Sequence, residues 1–220
     1  MTDETGLHEG QPIYTHGAPL SGAAVAMIMI HGRGATAADI LSLVDELDAP
    51  DLVCLAPQAA GNTWYPNRFI APIASNEPWL SSALETVAAV FAHVAAAGIP
   101  PERTVLLGFS QGGCLALEYA ARHPRRYGGL VALSGALIEN GEAPRTYIGS
   151  LAGTPVFLGC SDNDPHIPAG RLERTAGLLR ALGGEVTLRV YPGLGHTVNR
   201  DEIEVVGQTI AHVRDAESAG

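Results

Sequence analysis

The stretch TVLLGFSQGG, residues 104–113, runs four apolar or β-branched residues and then sets one serine, Ser110, between Gly108 and Gly112, with Gly113 just beyond. An apolar helical pattern from Cys114 through Ala121 follows at once. Gly108-Phe109-Ser110-Gln111-Gly112 fits G-x-S-x-G, the pattern of a nucleophile elbow. A serine at a sharp strand-to-helix turn holds a strained backbone conformation, and glycine neighbours remove Cβ atoms that would clash there. The helix opening at Gln111 points its free amides and its positive dipole end at charge developing beside Ser110. The competing reading is a tight turn with an incidental serine. The strand before the motif and the helix after it favour the nucleophile.

A serine hydroxyl attacks poorly without a base, and the base needs an acid to orient it. In folds that carry this elbow the acid and then the histidine follow the serine in the chain, on loops after later strands. TPVFLGC (154–160) runs into SDNDPHIP, and EVTLRVYP (185–192) runs into GLGHT. His196 is therefore the candidate base, with a surface-loop histidine as the plainer alternative. Asp162 and Asp164 share the earlier loop; Asp164 is preferred as the acid, and a turn or cap role is the other reading of Asp162. His166 is expected at the solvent or at the rim of the site. IHGRGA (30–35) closes another strand, where a His-Gly turn would aim the Arg33 amide at a substrate oxyanion beside that of Gln111. A plain strand-end turn is the alternative there.

These residues need elements to hold them. Residues 23–30, 52–57, 104–109, 128–135, 154–160 and 185–192 read as strands, most of them apolar on both faces, as in the middle of a parallel sheet. Helical periodicity fills about 36–47, 78–97, 111–122, 168–182 and 199–214. Such alternation predicts an α/β fold, doubly wound, with helices on both faces of a mostly parallel sheet. Residues 58–78, QAAGNTWYPNRFIAPIASNEP, fit neither period; an irregular, aromatic-rich insertion of that length is expected to line a site. The domain is expected to span 21–214, with 1–20 and 215–220 as loosely ordered ends.

The totals bound the chemistry further. The 220 residues suit one α/β domain, and 46% apolar with 16% charged residues is an ordinary globular composition. All 13 basic residues are arginine, which excludes Schiff-base chemistry and the lysine of a phosphate-binding P-loop. A net charge of −10 disfavours nucleic acid and anionic lipid surfaces as partners. Cys54, Cys114 and Cys160 lie in apolar stretches without metal-ligand spacing, as buried thiols of a reducing compartment would. The opening MTDETGLHEGQP lacks the layout of a signal peptide, and the apolar run 23–30 is too short to cross a bilayer. The expectation is a cytoplasmic protein with no stable membrane insertion.

Ile30-His31-Gly32-Arg33-Gly34, Gly108 through Gly113, Asp164-Pro165-His166-Ile167-Pro168 and Gly195-His196 together resemble the phospholipase/carboxylesterase family of the α/β-hydrolase superfamily, over about residues 20–214. The resemblance implies Ser110 as nucleophile, the aspartate before Pro165 (Asp164) as acid, His196 as base, and the amides of Arg33 and Gln111 as oxyanion hole. It implies a single domain without a large cap, no cofactor and no metal, a small-molecule ester or thioester substrate, and a homodimer. Trp64 and Tyr65 resemble the family's Trp-aromatic pair beside the acyl site; Arg68, Phe69 and Leu194 join them as candidate substrate-binding residues. Many relatives carry leucine at the Arg33 position and aspartate where this chain has Pro66. The expected activity is carboxylic ester hydrolysis on small to medium acyl groups. A thioesterase or lysophospholipase with a longer acyl groove is the alternative, and a binding protein that kept the fold without turnover is the remote one. Arg33 and Arg68, two cations at the mouth, raise the further expectation of substrates with an anionic group near the scissile bond.

Overall fold

The computed structural model describes residues 7–218. The six expected strands form: β2 (Val25–Ile30), β3 (Leu52–Pro57), β4 (Thr104–Phe109), β5 (Gly129–Leu133), β6 (Pro155–Ser161) and β7 (Glu185–Tyr191). A seventh, β1 (Ile13–Gly17), precedes them. The sheet order is β1-β3-β2-β4-β5-β6-β7, and every pairing is parallel except β1 with β3.

Strand alternation sorts the core into two layers. One face of the sheet (Ile28, Ile30, Leu55, Leu106, Leu130, Leu158) packs beneath α2 (Trp79–Ala96), α3 (Gln111–Arg122) and α4 (Ala169–Ala181). The other face (Met27, Met29, Cys54, Leu107, Leu133) packs on α1 (Ala37–Leu41) and α5 (Arg200–Ser218). The central strands are thus buried on both sides, which is why they read as continuous apolar runs. By length and mean hydropathy alone α2 could cross a membrane. Its apolar side, Leu80, Leu84, Val87, Val90, Phe91 and Val94, instead lies in the sheet core.

Three expectations need correction. Residues 7–17 are no loose end: β1 pairs with β3 from Ile13↔Pro57 to Gly17↔Val53. All five β1 residues are exposed, so backbone pairing with β3 holds the strand and no apolar pattern announces it. His8, just before it, is buried; its backbone N–H donates to Ser82 Oγ at 3.0 Å. The helix expected over 36–47 is α-helical only from Ala37 to Leu41 and continues as a 3-10 turn over 42–46. The Ser42 hydroxyl donates to the Asp39 carbonyl at 2.7 Å, a local bond that competes with the α-helical ladder. At the far end α5 runs through Ser218, so 215–218 is helical; residues 1–6 and 219–220 lie outside the described residues.

Candidate active site

Ser110 is the one residue between the end of β4 and the start of α3, at φ 54 and ψ −118. Positive φ in a residue with a Cβ costs about 1–3 kcal/mol, so its surroundings must impose it. They do so through close approach. A Cβ on Gly108 would sit 2.2 Å from the Gly112 carbonyl oxygen, and one on Gly112 would sit 2.1 Å from that of Ile30. Glycine at both positions lets α3 start directly against β2 and β4, and the Ser110 N–H is fixed by the Leu133 carbonyl at 2.9 Å.

Three strand-end loops converge here. Ser110 Oγ lies 2.8 Å from His196 Nε2, and His196 Nδ1 lies 2.7 Å from Asp164 Oδ2. The ionised acid sets the tautomer: Nδ1–H donates to Asp164, leaving Nε2 to accept from the serine hydroxyl. Burial works to raise the Asp164 pKa. The hydrogen bond from His196 and those from the backbone N–H groups of His166 (2.8 Å) and Ile167 (3.1 Å) outweigh it, so the carboxyl sits below its ordinary value. Asp162 does not reach the imidazole. Its Oδ1 accepts from Gly193 N–H at 2.9 Å, tying the His196 loop to its neighbour. Phe109 and His166 pack on the imidazole, with ring centroids 5.0 and 4.6 Å away.

A cavity of about 280 Å³ opens above the serine, lined by Gly32, Tyr65, Phe69, Cys114, Ile167 and the arginines 33 and 68, among others. Cys114 is a second potential nucleophile there. Burial pushes its thiol up to about 12, so it stays protonated and unreactive near neutral pH. Neither the Arg33 nor the Gln111 backbone N–H donates to any described residue, as expected for the end of a turn and the first turn of a helix.

Among the candidate substrate-binding residues, Tyr65, Arg68 and Phe69 line the cavity, and Trp64 and Leu194 do not. Trp64 is 0% exposed; its indole N–H donates to the His31 carbonyl at 2.9 Å, and its ring packs between His8 and His31. It is a core residue. Leu194 stands between Gly193 and Gly195, both at positive φ, which curl the loop so that His196 lines the cavity instead. Sequence reasoning did not single out His8 and placed His31 only in the strand-end turn. Each holds the insertion: His8 Nδ1 accepts from Ala60 N–H (3.0 Å) and Nε2–H donates to the Trp64 carbonyl (2.9 Å), while His31 Nε2 accepts from Ala59 N–H (3.1 Å). Burial lowers the pKa of both. Only nonlocal packing distinguishes them from other histidines, so no local signal could have found them. Among the described residues no three His, Cys, Asp or Glu side chains group as metal ligands.

An elbow serine hydrogen-bonded to a histidine and an aspartate, at the carboxyl ends of a mostly parallel sheet sandwiched by helices, is α/β-hydrolase architecture. Within that class, the chain belongs to the phospholipase/carboxylesterase family, whose model matches residues 18–214. It is 44% identical to a phospholipase/carboxylesterase from Dyadobacter fermentans, whose crystal structure superposes with a TM-score of 0.87 over 92% of this chain and 97% of that one. The Bacillus cereus carboxylesterase, at 20% identity, shares the fold with a TM-score of 0.72, covering 93% of this chain and 95% of that one. Acyl-protein thioesterase 1 of Gibberella zeae is 35% identical over 115 residues, 50% of this chain and 47% of that protein, so the match spans about half the length of this curated relative.

Proposed function

We propose that the protein is a serine hydrolase that cleaves carboxylic esters through an acyl-enzyme, with Ser110 as nucleophile, His196 as base and Asp164 as the orienting acid. The single observation that carries the reading is the unbroken chain of hydrogen bonds from Ser110 Oγ to His196 Nε2 at 2.8 Å and from His196 Nδ1 to Asp164 at 2.7 Å. His196 takes the hydroxyl proton as Ser110 attacks the carbonyl carbon. The tetrahedral oxyanion is received by the amides of Arg33 and Gln111, each such donor being worth on the order of 3 kcal/mol. Protonated His196 returns the proton to the departing alcohol, and Asp164 stabilises the imidazolium meanwhile. Water, deprotonated by the same histidine, then releases the acid. The names of the Dyadobacter and Bacillus proteins support ester hydrolysis, and the modest cavity suits small to medium acyl groups.

A second reading, a thioesterase with a longer acyl groove, draws on the Gibberella relative's name and on a neighbouring cleft. That cleft, about 410 Å³, shares Gly32, Ala35, Phe109 and His196 with the first and continues along Ile40, Leu43 and Val198. Asp39 and Thr197 line it beside these apolar side chains. With either reading we propose a cytoplasmic enzyme, consistent with three free, buried cysteines, and a homodimer, as the family resemblance implies.

A fluorophosphonate probe tests the reaction class: wild type is labelled and Ser110→Ala is not. Labelling that survives the substitution overturns the assignment. Turnover across a chain-length series of esters and thioesters separates the two substrate readings.

A further inference from the structure

The Arg33 guanidinium reaches into the insertion rather than across the cavity mouth. Its Nη1 donates to the Pro66 carbonyl at 2.8 Å, and its Nη2 donates to those of Tyr65 at 2.9 Å and Asn67 at 2.7 Å. Three consecutive carbonyls converging on one planar fork form an arrangement that the point charge of an ammonium does not reproduce. Gln111 is built into the same turn. Its side-chain amide donates to the Tyr65 carbonyl at 2.8 Å and accepts from the Trp64 N–H at 2.9 Å. One carbonyl, that of Tyr65, therefore receives a bond from each of the two residues proposed to supply the oxyanion-hole amides. The loop is tied to the insertion twice more, through Gly34 N–H to the Asn62 carbonyl at 2.7 Å and Trp64 Nε1–H to the His31 carbonyl.

We propose that Arg33 acts through its side chain as a positioning residue for the oxyanion hole, clamping the 31–34 loop and the first turn of α3 to the Tyr65–Asn67 backbone so that the amides of Arg33 and Gln111 stay aimed at one point. This rests on the hydrolase reading above. It also replaces the expectation that Arg33 recruits anionic substrates, because three of its five N–H donors are turned to carbonyls. Arg68 makes a similar tie, donating to the His166 carbonyl at 3.1 Å and joining the insertion to the Asp164 loop. An oxyanion donor works within a few tenths of an ångström, and displacement by about 1 Å costs on the order of 100-fold in rate.

The test compares wild type with Arg33→Met, which keeps the stem without the fork, and Arg33→Lys, which keeps the charge. Each is assayed for kcat and KM on p-nitrophenyl acetate and on a succinate half-ester of p-nitrophenol. Inhibition by phenylboronic acid, whose serine adduct mimics the tetrahedral intermediate, is measured in parallel. Both variants should lose roughly 10- to 100-fold in kcat with little change in KM. The boronate inhibition constant should rise in step, and the ratio of anionic to neutral turnover should hold. Recovery by Arg33→Lys, a loss confined to the anionic ester, a loss carried by KM, or kcat within about twofold of wild type each overturns the clamp. Circular dichroism and thermal melting establish that the variants fold; should Arg33→Met not fold, Arg33→Lys alone carries the same outcomes. If wild-type Ser110 is not labelled by the fluorophosphonate, the hydrolase reading has failed. If it is labelled and the variants react as fast, only the clamp has failed.

Discussion

Replacing Gly112 by alanine probes how the elbow is built. The added Cβ would lie 2.1 Å from the Ile30 carbonyl oxygen and 2.6 Å from that of His31, and both are backbone atoms at the end of β2. Contacts under 3.0 Å are essentially never seen, so α3 and β2 must part by roughly 1 Å, breaking packing in a close-packed core. Overpacking of this kind costs about 1–3 kcal/mol or more, and alanine's better helix propensity returns about 1 kcal/mol. A net loss near 2 kcal/mol lowers Tm by about 4–8 °C in a chain of this size. Gly177, exposed on α4, is the control: its Cβ would meet nothing within 4 Å, so Gly177→Ala should gain about 0.5–1 kcal/mol. Paired urea and thermal unfolding of the two variants gives the comparison. Because the shift falls two residues beyond Ser110, fluorophosphonate labelling of Gly112→Ala should also slow by about 100-fold. A Gly112→Ala protein as stable as Gly177→Ala, labelled at the wild-type rate, refutes this account of the elbow.

Asp164→Asn keeps the shape of the acid but leaves His196 without an ionised partner, and kcat should fall by about 10⁴-fold. Asp162→Asn, which disturbs only the tie to Gly193, should stay within roughly tenfold of wild type; equal losses would mean that the acid is misassigned. Burial holds the pKa of His8 and His31 below 6.5, so the unfolded chain binds more protons than the folded one as pH drops. The stability they contribute is complete above pH 6.5 and is lost as pH falls below it. Glu202, raised to about 7 by its burial, acts in the opposite sense, so the test is a difference: the Tm gap between wild type and His8→Gln should narrow from pH 7 to pH 5. A gap independent of pH would show that His8 does not titrate on unfolding.

Local patterns carried the elements that matter most. The strand-serine-helix order around Ser110 and the two loops bearing Asp164 and His196 are written in contiguous residues, and the structure brings all three side chains within hydrogen-bonding distance. What escaped the sequence is nonlocal. β1 has no buried side chain, so only its pairing with β3 makes it a strand. Trp64 lies in an irregular stretch where pattern cannot separate a site wall from a core plug; the difference is made by His8 and His31, tens of residues away. The direction of the Arg33 side chain was equally hidden, because its partners are carbonyls, which every residue carries.

The parallel register of β4 and β6 with β7 at the sheet edge has a kinetic consequence. Ser110 and His196 are 86 positions apart, and His196 follows β7, the strand at the sheet edge. No fragment or half-folded intermediate that lacks β7 brings the imidazole to the hydroxyl, and closing so long a loop is slow. Chemical reactivity at the serine therefore reports a chain in which β7 has already paired with β6.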